Sequence, residues 1–313
     1  MFVLPPTPFA ALPVLHRQPA GLDREALAMG TRLSLHLEGS GDLTGVSETA
    51  LAEADRIERA CSTWRPDSAW SRLNAAGAAD LDPEWARLLA RAQAWSGRMA
   101  GAFDPVLGRL VAAWGARTGG RVPSETELKA ARAASGVAHL RIDGNRVQLQ
   151  GGAWIEEGGF VKGYALDRME ATLRSGGVAS GRLDFGGQLL VWGRPEPVTV
   201  ADPRDRQRPR IALVLKDASL ACSGDSERGR HLLDPRTGRP CEPWGEVAVV
   251  ARTAFDADVL SKLFVLGPDR GLAWADAHGV AAAFLPNHGA PRLSRAFRAL
   301  HPVILPSPLS EPR

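Results

Sequence analysis

Strand-like and helix-like patterns are mixed along this chain without a regular alternation. Residues 29–38 alternate apolar and polar side chains, as a half-buried strand does, whereas residues 46–59 carry apolar residues at helical spacing. No βαβ repeat runs through the patterns, so the sequence predicts an α+β fold with mixed sheets and flanking helices. The other predicted elements are helices at 83–95, 162–174 and 256–266, a hairpin at 139–150, and strands at 181–192, 211–220, 247–252 and 279–285.

Composition excludes several classes of protein. The 313 residues allow two small domains or one large one, and 44% hydrophobic with 23% charged residues is too apolar for a disordered chain. Lys and Arg total 38 against 35 Asp and Glu, a net charge of +3. Because the arginines are scattered rather than gathered in a stripe, nucleic acid is not an expected partner. Three cysteines without a close-spaced pair imply neither a zinc site nor a disulfide framework.

The chain ends predict no membrane anchor. No stretch reaches the roughly 20 apolar residues that a transmembrane helix needs. Residues 1–25 are apolar but contain several prolines and no early basic residue, so we expect a flexible leader and a cytoplasmic protein. A periplasmic location is the alternative, if this segment is an atypical export signal.

Two glycine pairs indicate places where a ligand approaches the backbone. Gly158 and Gly159 lead into a helix whose first turn holds Lys162, an arrangement that can bind phosphate. The alternative is an ordinary glycine turn before a helix with a solvated lysine. Gly186 and Gly187 interrupt an apolar strand, which favours close approach of a ligand or of another backbone.

Two further segments carry candidate reactive side chains. His231 lies beside acids and turn residues in CSGDSERGRHLLDPRTGRP, so it is either a general base or a structural histidine. In TAFDADVLSKLFVLG, a helix places Asp258, Ser261 and Lys262 on one face at i, i+3 and i+4. A surface ion pair between Asp258 and Lys262 is the simpler interpretation of that spacing.

The order of these motifs resembles that of the ApbE-type FAD:protein FMN transferases, over about residues 26–287. A domain at 26–287 leaves 288–313 as a C-terminal tail. The resemblance implies a T-fold-like architecture with an FAD cleft between subdomains. The motifs that carry it are MGT, STWRPDS with RLN, GAFDP followed by WG, GGFVKGYALD, the FGG strand, SGD, HLLDPRTGRP and the final AD...LFVLG helix.

This resemblance implies a reaction and its partners. FAD is the substrate and is cleaved at its pyrophosphate, FMN is joined to a Thr or Ser hydroxyl of an acceptor flavoprotein, and AMP is released. The implied catalytic residues are His231, Asp258 and Lys262. The implied FAD-binding residues are Met29, Trp64, Asp104, Gly159, Lys162, Gly163, Tyr164, Gly186, Gly187, Ser223, Gly224, Asp225 and His231.

The family also implies a Mg²⁺ site, and here the chain departs from the pattern. The implied ligands are the carbonyl oxygen of Val161, the carboxylate of Asp258 and a threonine four residues later, where this chain has Lys262. An ammonium cannot coordinate a cation and repels one. Three alternatives follow: Ser261 supplies the missing hydroxyl while Lys262 swings outward, the ammonium itself replaces the cation, or the protein binds FAD without catalysis.

Smaller departures concern the residues around the flavin. Ala69 stands where the family usually has an acid, Asp184 where asparagine is common, and Ser226 where tyrosine is common. Trp64 and Tyr164 are then the aromatic residues left in these motifs to stack on the flavin.

Overall fold

A computed structural model describes residues 20–224 and 232–306 of the chain. Its centre is an eight-stranded sheet in which every neighbouring pair is antiparallel. In spatial order, and numbered along the chain, its strands are β1 (Ala20–Ala28), β2 (Thr31–Gly39), β6 (Val178–Phe185), β7 (Gln188–Trp192), β10 (Ala218–Gly224), β13 (Gly245–Ala251), β14 (Ala281–Pro286) and β15 (Arg292–Leu293).

Helices cover one face of this sheet. Beside them, β3 (Ala78–Asp80), β5 (Arg146–Leu149) and β4 (Leu140–Asp143) form a small sheet, and β11 (Leu233–Asp234) pairs with β12 (Arg239–Pro240). The helices are α1 (Leu43–Cys61), α2 (Ala69–Ala76), α3 (Pro83–Arg98), α4 (Gly108–Ala113), α5 (Glu125–Ala133), α6 (Val161–Ser175), α7 (Ala254–Leu260), α8 (Gly267–His278) and α9 (Arg295–Arg298), with 3₁₀ helices at Val137–His139, Gln150–Gly152 and Ser261–Leu266. None of the helices in the described ranges has the length and apolar composition needed to cross a bilayer.

The opposite face packs on a second hydrophobic core. There β8 (Glu196–Asp202), β9 (Asp205–Leu215) and β16 (Val303–Ile304) form a three-stranded sheet. Along β7, Leu190 and Trp192 belong to the helix-side core, whereas Leu189 and Val191 belong to the core beneath β8 and β9. Because side chains alternate across a strand and this one is buried on both faces, residues 189–192 of β7 are all apolar.

A close approach between α6 and α7 positions the chemistry described below. A Cβ on Gly163 would lie 2.3 Å from the carbonyl oxygen of Ala254, so only glycine allows the two helices this separation. The Asp167 carboxylate accepts hydrogen bonds from the N–H groups of Ala254 and Phe255 at 2.6 and 3.1 Å. Burial raises the pKa of Asp167 to about 6. A side chain of α6 therefore holds the first turn of α7.

The predicted α+β class is confirmed, and several element boundaries differ from the prediction. The pattern at 181–192 is a hairpin rather than one strand, because Gly186 and Gly187 have φ of +59° and +85° and form its turn. The pattern at 211–220 is divided between β9 and β10, with Asp217 at φ +46° between them. Helix α8 was not predicted from the sequence.

Both chain ends contribute more to the fold than the sequence predicts. The predicted leader extended through residue 25, but Ala20–Ala28 pairs along its whole length with β2. The predicted tail began at residue 288, but Phe297 is fully buried and Val303–Ile304 pairs with β9. β1 gains its structure by pairing with β2 in a hairpin, whereas the short C-terminal strand gains it from the distant strand β9, and neither depends on local propensity alone.

Replacing Gly163 with Ala should lower the free energy of unfolding by about 1–3 kcal/mol, because the added methyl group forces α6 away from Ala254. Gly97 lies on the exposed side of α3, where a Cβ meets nothing within 4 Å. Gly97→Ala should raise stability by about 0.4–1 kcal/mol. Denaturant unfolding of both variants measures the difference, and equal stabilities would contradict the close-approach argument.

Candidate functional site

Asp258, Ser261 and Lys262 meet where α7 continues into a 3₁₀ helix. Thr253 caps α7, its hydroxyl accepting from the N–H of Asp256 at 3.1 Å. The Lys262 ammonium lies 3.1 Å from Asp258 Oδ1, as the i, i+4 spacing predicts. These side chains are only 14% and 7% exposed, so this is not the solvated surface pair of the simpler interpretation.

Four oxygen atoms surround the Lys262 ammonium group. It donates to Ser261 Oγ at 2.9 Å, to the carbonyl oxygen and Oδ1 of Asp258 at 3.1 Å each, and to Ser223 Oγ at 3.3 Å. Ser223 reaches this group from the end of β10, and its hydroxyl lies 2.7 Å from that of Ser261. The cluster therefore joins the central sheet to the α7 segment.

Two of the predicted glycines border the same cluster. The N–H of Gly163 donates to Asp258 Oδ2 at 3.2 Å, and this contact depends on the close approach of α6 to α7. A Cβ on Gly159 would lie 3.1 Å from Lys262 Cε. Val161, between these glycines, is the first residue of α6 and is buried.

The residues present do not fit the divalent cation that the family resemblance implies. Mg²⁺ takes oxygen ligands at about 2.0–2.1 Å, but an ammonium occupies the centre of this oxygen cluster. The Ser261 hydroxyl donates to the Asp258 carbonyl oxygen at 2.6 Å, so it is already engaged. Within residues 20–224 and 232–306 there is no group of three or more His, Cys, Asp or Glu side chains that could hold a metal.

Lys162 lies at the N-terminus of the 15-residue helix α6 and is half-buried. Among the described residues, its ammonium forms no hydrogen bond or ion pair. The first N–H groups of this helix are partly engaged, because those of Val161 and Gly163 donate to the carbonyl oxygen of Glu157 and to Asp258 Oδ2 at 3.3 and 3.2 Å, but the helix end keeps its partial positive charge. Lysine and helix end together form a site with unsatisfied positive charge, as the phosphate-binding interpretation requires.

A buried acid pair precedes the glycine loop, and sequence reasoning did not identify it. Glu156 and Glu157 are 17% and 13% exposed and both pair with Arg117, at 2.5 and 3.5 Å. Thr63 bridges Glu157 and Arg117. Burial, and then the charge of Glu157, raise the pKa of Glu156 to about 7. Two adjacent glutamates before a glycine pair were the available signal.

Trp64 lies next to this acid cluster. The Arg117 guanidinium lies over its ring, with Cζ 4.6 Å from the ring centroid, and Trp64 is 61% exposed. An exposed aromatic ring of this size offers a face on which another ring can stack.

Protein atoms engage the polar groups of two predicted ligand residues, Tyr164 and Asp104. Tyr164 turns toward α3, where its hydroxyl donates to Glu84 Oε1 at 2.6 Å and its ring meets Trp85 edge-on. The Asp104 carboxylate accepts from the N–H groups of Val106 and Val137 at 2.8 Å each, so it fastens two loops together. Both side chains are engaged by protein atoms, because packing in their loops and helices directs them inward.

The Met29 and Gly186–Gly187 turns lie side by side at one end of the central sheet. Met29 has φ +45°, and its N–H donates to Glu58 Oε2 at 2.7 Å. A Cβ on Gly186 would lie 2.8 Å from Thr31 Oγ1 in the neighbouring turn. The sequence favoured close approach of a ligand or of another backbone at Gly186 and Gly187 inside a strand. The structure instead places them in a turn, where the Gly186 N–H donates to the carbonyl oxygen of Arg32 in β2 at 2.9 Å.

The remaining predicted residues precede the DPRTG turn in the chain, and the structure describes only some of them. Ser223 and Gly224 end β10, whereas Asp225, Ser226 and His231 lie outside the described residues. After them, Arg236 pairs with Asp234 at 2.8 Å and donates to the carbonyl oxygen of Val265 at 3.0 Å. The DPRTG turn is thereby fastened to the 3₁₀ helix that carries Lys262.

Comparison with known proteins gives consistent matches over most of the chain. The model of the ApbE family matches residues 29–284. An FAD:protein FMN transferase of Vibrio cholerae is 29% identical over 75% of this chain and 78% of its own length. One of Treponema pallidum is 31% identical over 73% of each chain.

Solved structures match as closely. The apo flavinyl transferase ApbE of Pseudomonas stutzeri superposes with a TM-score of 0.83 at 29% identity, covering 91% of this chain and 98% of that one. The ApbE protein of Thermotoga maritima gives 0.82 at 28% identity, covering 90% and 99%.

The raised pKa of Glu156 predicts a pH-dependent stability. Because the folded state holds this proton up to about pH 7 and an unfolded glutamate only to about 4.5, the stabilisation is complete below pH 4.5 and is lost as the pH rises to 7. Glu156→Gln should flatten that part of the profile, measured by denaturant unfolding at a series of pH values. The exposed control Glu48→Gln should keep the parent slope, and identical profiles for all three proteins would contradict the prediction.

Proposed function

The chain belongs to the ApbE family, and from this premise we propose that it is an FAD:protein FMN transferase. Its substrates are FAD and a Thr or Ser hydroxyl of an acceptor flavoprotein, and its products are the flavinylated protein and AMP. Relatives that carry this activity in their names match over about three quarters of the chain.

The reaction is a phosphoryl transfer with a simple atom balance. The acceptor hydroxyl oxygen forms a bond to the FMN phosphorus, and the bond from that phosphorus to the bridging oxygen of the pyrophosphate breaks. The bridging oxygen leaves with AMP, and the hydroxyl proton passes to a base. Catalysis of such a step depends on positioning the reactants and neutralising phosphate charge.

Lys162 at the α6 N-terminus has no partner among the described residues, and this observation carries the proposal. Lys162 supplies a charge that no described protein group neutralises, at a helix N-terminus whose partial positive charge suits a pyrophosphate. The Lys262 cluster adjoins the same glycine loop through Gly159. The Lys262 ammonium is paired with Asp258, so Lys162 is the lysine whose charge is left for the pyrophosphate.

Other residues have proposed roles around this phosphate site. The exposed ring of Trp64 stacks on an aromatic ring of FAD. The adjacent Met29 and Gly186–Gly187 turns shape the nucleotide pocket. His231 is the base that takes the acceptor proton, and Asp225 belongs to the same segment.

The assay of this function combines purified protein, FAD and an acceptor domain, followed by intact-mass spectrometry and AMP measurement. We expect an acceptor mass increase equal to FMN less water, with one AMP released per FMN attached. Free FMN and AMP without a mass increase would instead identify an FAD hydrolase. FAD binding without AMP would identify a flavin carrier.

His231→Asn should lower the transfer rate by roughly 10² to 10⁴ and leave FAD affinity within a few fold, because it removes the base without removing phosphate contacts. Single-turnover AMP release and flavin fluorescence titration measure the two quantities. An unchanged rate, or a variant that fails to fold, would assign His231 a structural role instead.

A further inference from the structure

The Lys262 ammonium takes the place among oxygen atoms that a bound cation would take. Its contacts to Ser223, Asp258 and Ser261 span 2.9–3.3 Å. Those lengths suit N–H···O hydrogen bonds, whereas Mg²⁺ requires about 2.0–2.1 Å. The same oxygen atoms cannot hold a metal ion while the ammonium remains there.

The lysine side chain is also held in this position along its stem. Its Cε lies 3.1 Å from the place where a Cβ on Gly159 would be, and Phe103 borders the same point at 3.3 Å. Because residue 159 is glycine, there is room for the aliphatic stem of Lys262. A larger side chain at residue 159 would occupy that space.

Displacing Lys262 would be unfavourable for Asp258. That carboxylate is 7% exposed, and without the ammonium its remaining described partner is the N–H of Gly163. A buried carboxylate that loses its ionic partner is strongly destabilised. An outward swing that opens the cluster to a metal is therefore disfavoured.

The exchange of a divalent ion for an ammonium changes the charge at the site. Asp258 with Mg²⁺ would carry +1, whereas Asp258 with Lys262 is neutral. The net positive charge that attracts the pyrophosphate must then come from Lys162 and the α6 N-terminus. The protein would then bind phosphate through its own positive charge, without that of a metal ion.

We propose that Lys262 is a tethered cation that replaces the divalent metal in this chain, so that FAD binding and FMN transfer need no Mg²⁺. The inference rests on the proposed function for its ligand. Because the ammonium is covalently part of the protein, a chelator cannot remove it.

The first measurement is FAD affinity of the purified full-length protein by flavin fluorescence, with EDTA and with excess Mg²⁺. The parent Kd should agree within about twofold between the two conditions. Lys262→Thr should bind FAD at least about tenfold more weakly in EDTA, because Asp258 is left unpaired, and should recover with Mg²⁺. The exposed control Lys216→Thr should behave as the parent.

A second measurement needs no FAD turnover. Since a ligand that binds only the folded state raises its melting temperature, Mg²⁺ should stabilise Lys262→Thr and leave the parent and Lys216→Thr unchanged. Lys262→Met, which keeps the stem without the charge, should lose FAD affinity with no recovery in Mg²⁺. If Lys262→Thr does not fold, the effects of Mg²⁺ and EDTA on Lys262→Met and on the parent still decide whether the ammonium replaces the metal.

A parent protein that loses FAD affinity in EDTA, or that Mg²⁺ stabilises, would overturn the proposal. Recovery of Lys262→Met in Mg²⁺ would also overturn it, because the metal would then bind without a hydroxyl at this position. A parent that neither binds FAD nor releases AMP would refute the proposed function. In that case the Mg²⁺-dependent melting of parent and Lys262→Thr would still decide whether the ammonium replaces the metal.

Discussion

The contact between Gly163 of α6 and the backbone at Ala254 is the constraint on which the candidate site depends. It brings the N–H of Gly163 to Asp258 Oδ2, and it lets Asp167 hold the first turn of α7. A methyl group at residue 163 would separate the helices, and both sets of hydrogen bonds would lengthen together. The geometry of the Asp258 cluster is thus a consequence of helix packing rather than of the α7 sequence alone.

The two lysines of the candidate site differ in whether their charge is neutralised by the protein. Lys262 is surrounded by oxygen atoms and paired with Asp258, so its charge is largely neutralised within the protein. Lys162 has no described partner and lies at a helix N-terminus, so its charge remains available to a ligand. In the proposed function, the first of these lysines organises the site and the second attracts phosphate.

The glycine loop between these lysines is constrained on both sides. On one side, Glu156 and Glu157 are held by Arg117 and Thr63, at the cost of a buried acid whose pKa is raised to about 7. On the other side, Gly159 lies against the Lys262 stem. The loop that leads into α6 is therefore in contact with the rest of the protein at both ends, and such contacts favour preorganised binding groups.

The sequence by itself determined the α+β class, the placement of the glycine loop before α6, and the shared face of Asp258, Ser261 and Lys262. These follow from local periodicity, because apolar spacing and an i, i+4 interval act within a few residues. The sequence also shows directly that Lys262 departs from the family pattern, because this departure concerns only which residue stands at that position.

Only the tertiary structure decided where the side chains point. Tyr164 belongs to the same motif as Lys162 but turns to Glu84, the Asp104 carboxylate is taken by Val106 and Val137, and Gly186 is fitted against Thr31 of the neighbouring strand β2. Ser223 reaches Lys262 across 39 residues of chain. Such contacts join segments far apart in sequence, and no local pattern encodes them, because they arise only when the helices and the sheet pack together.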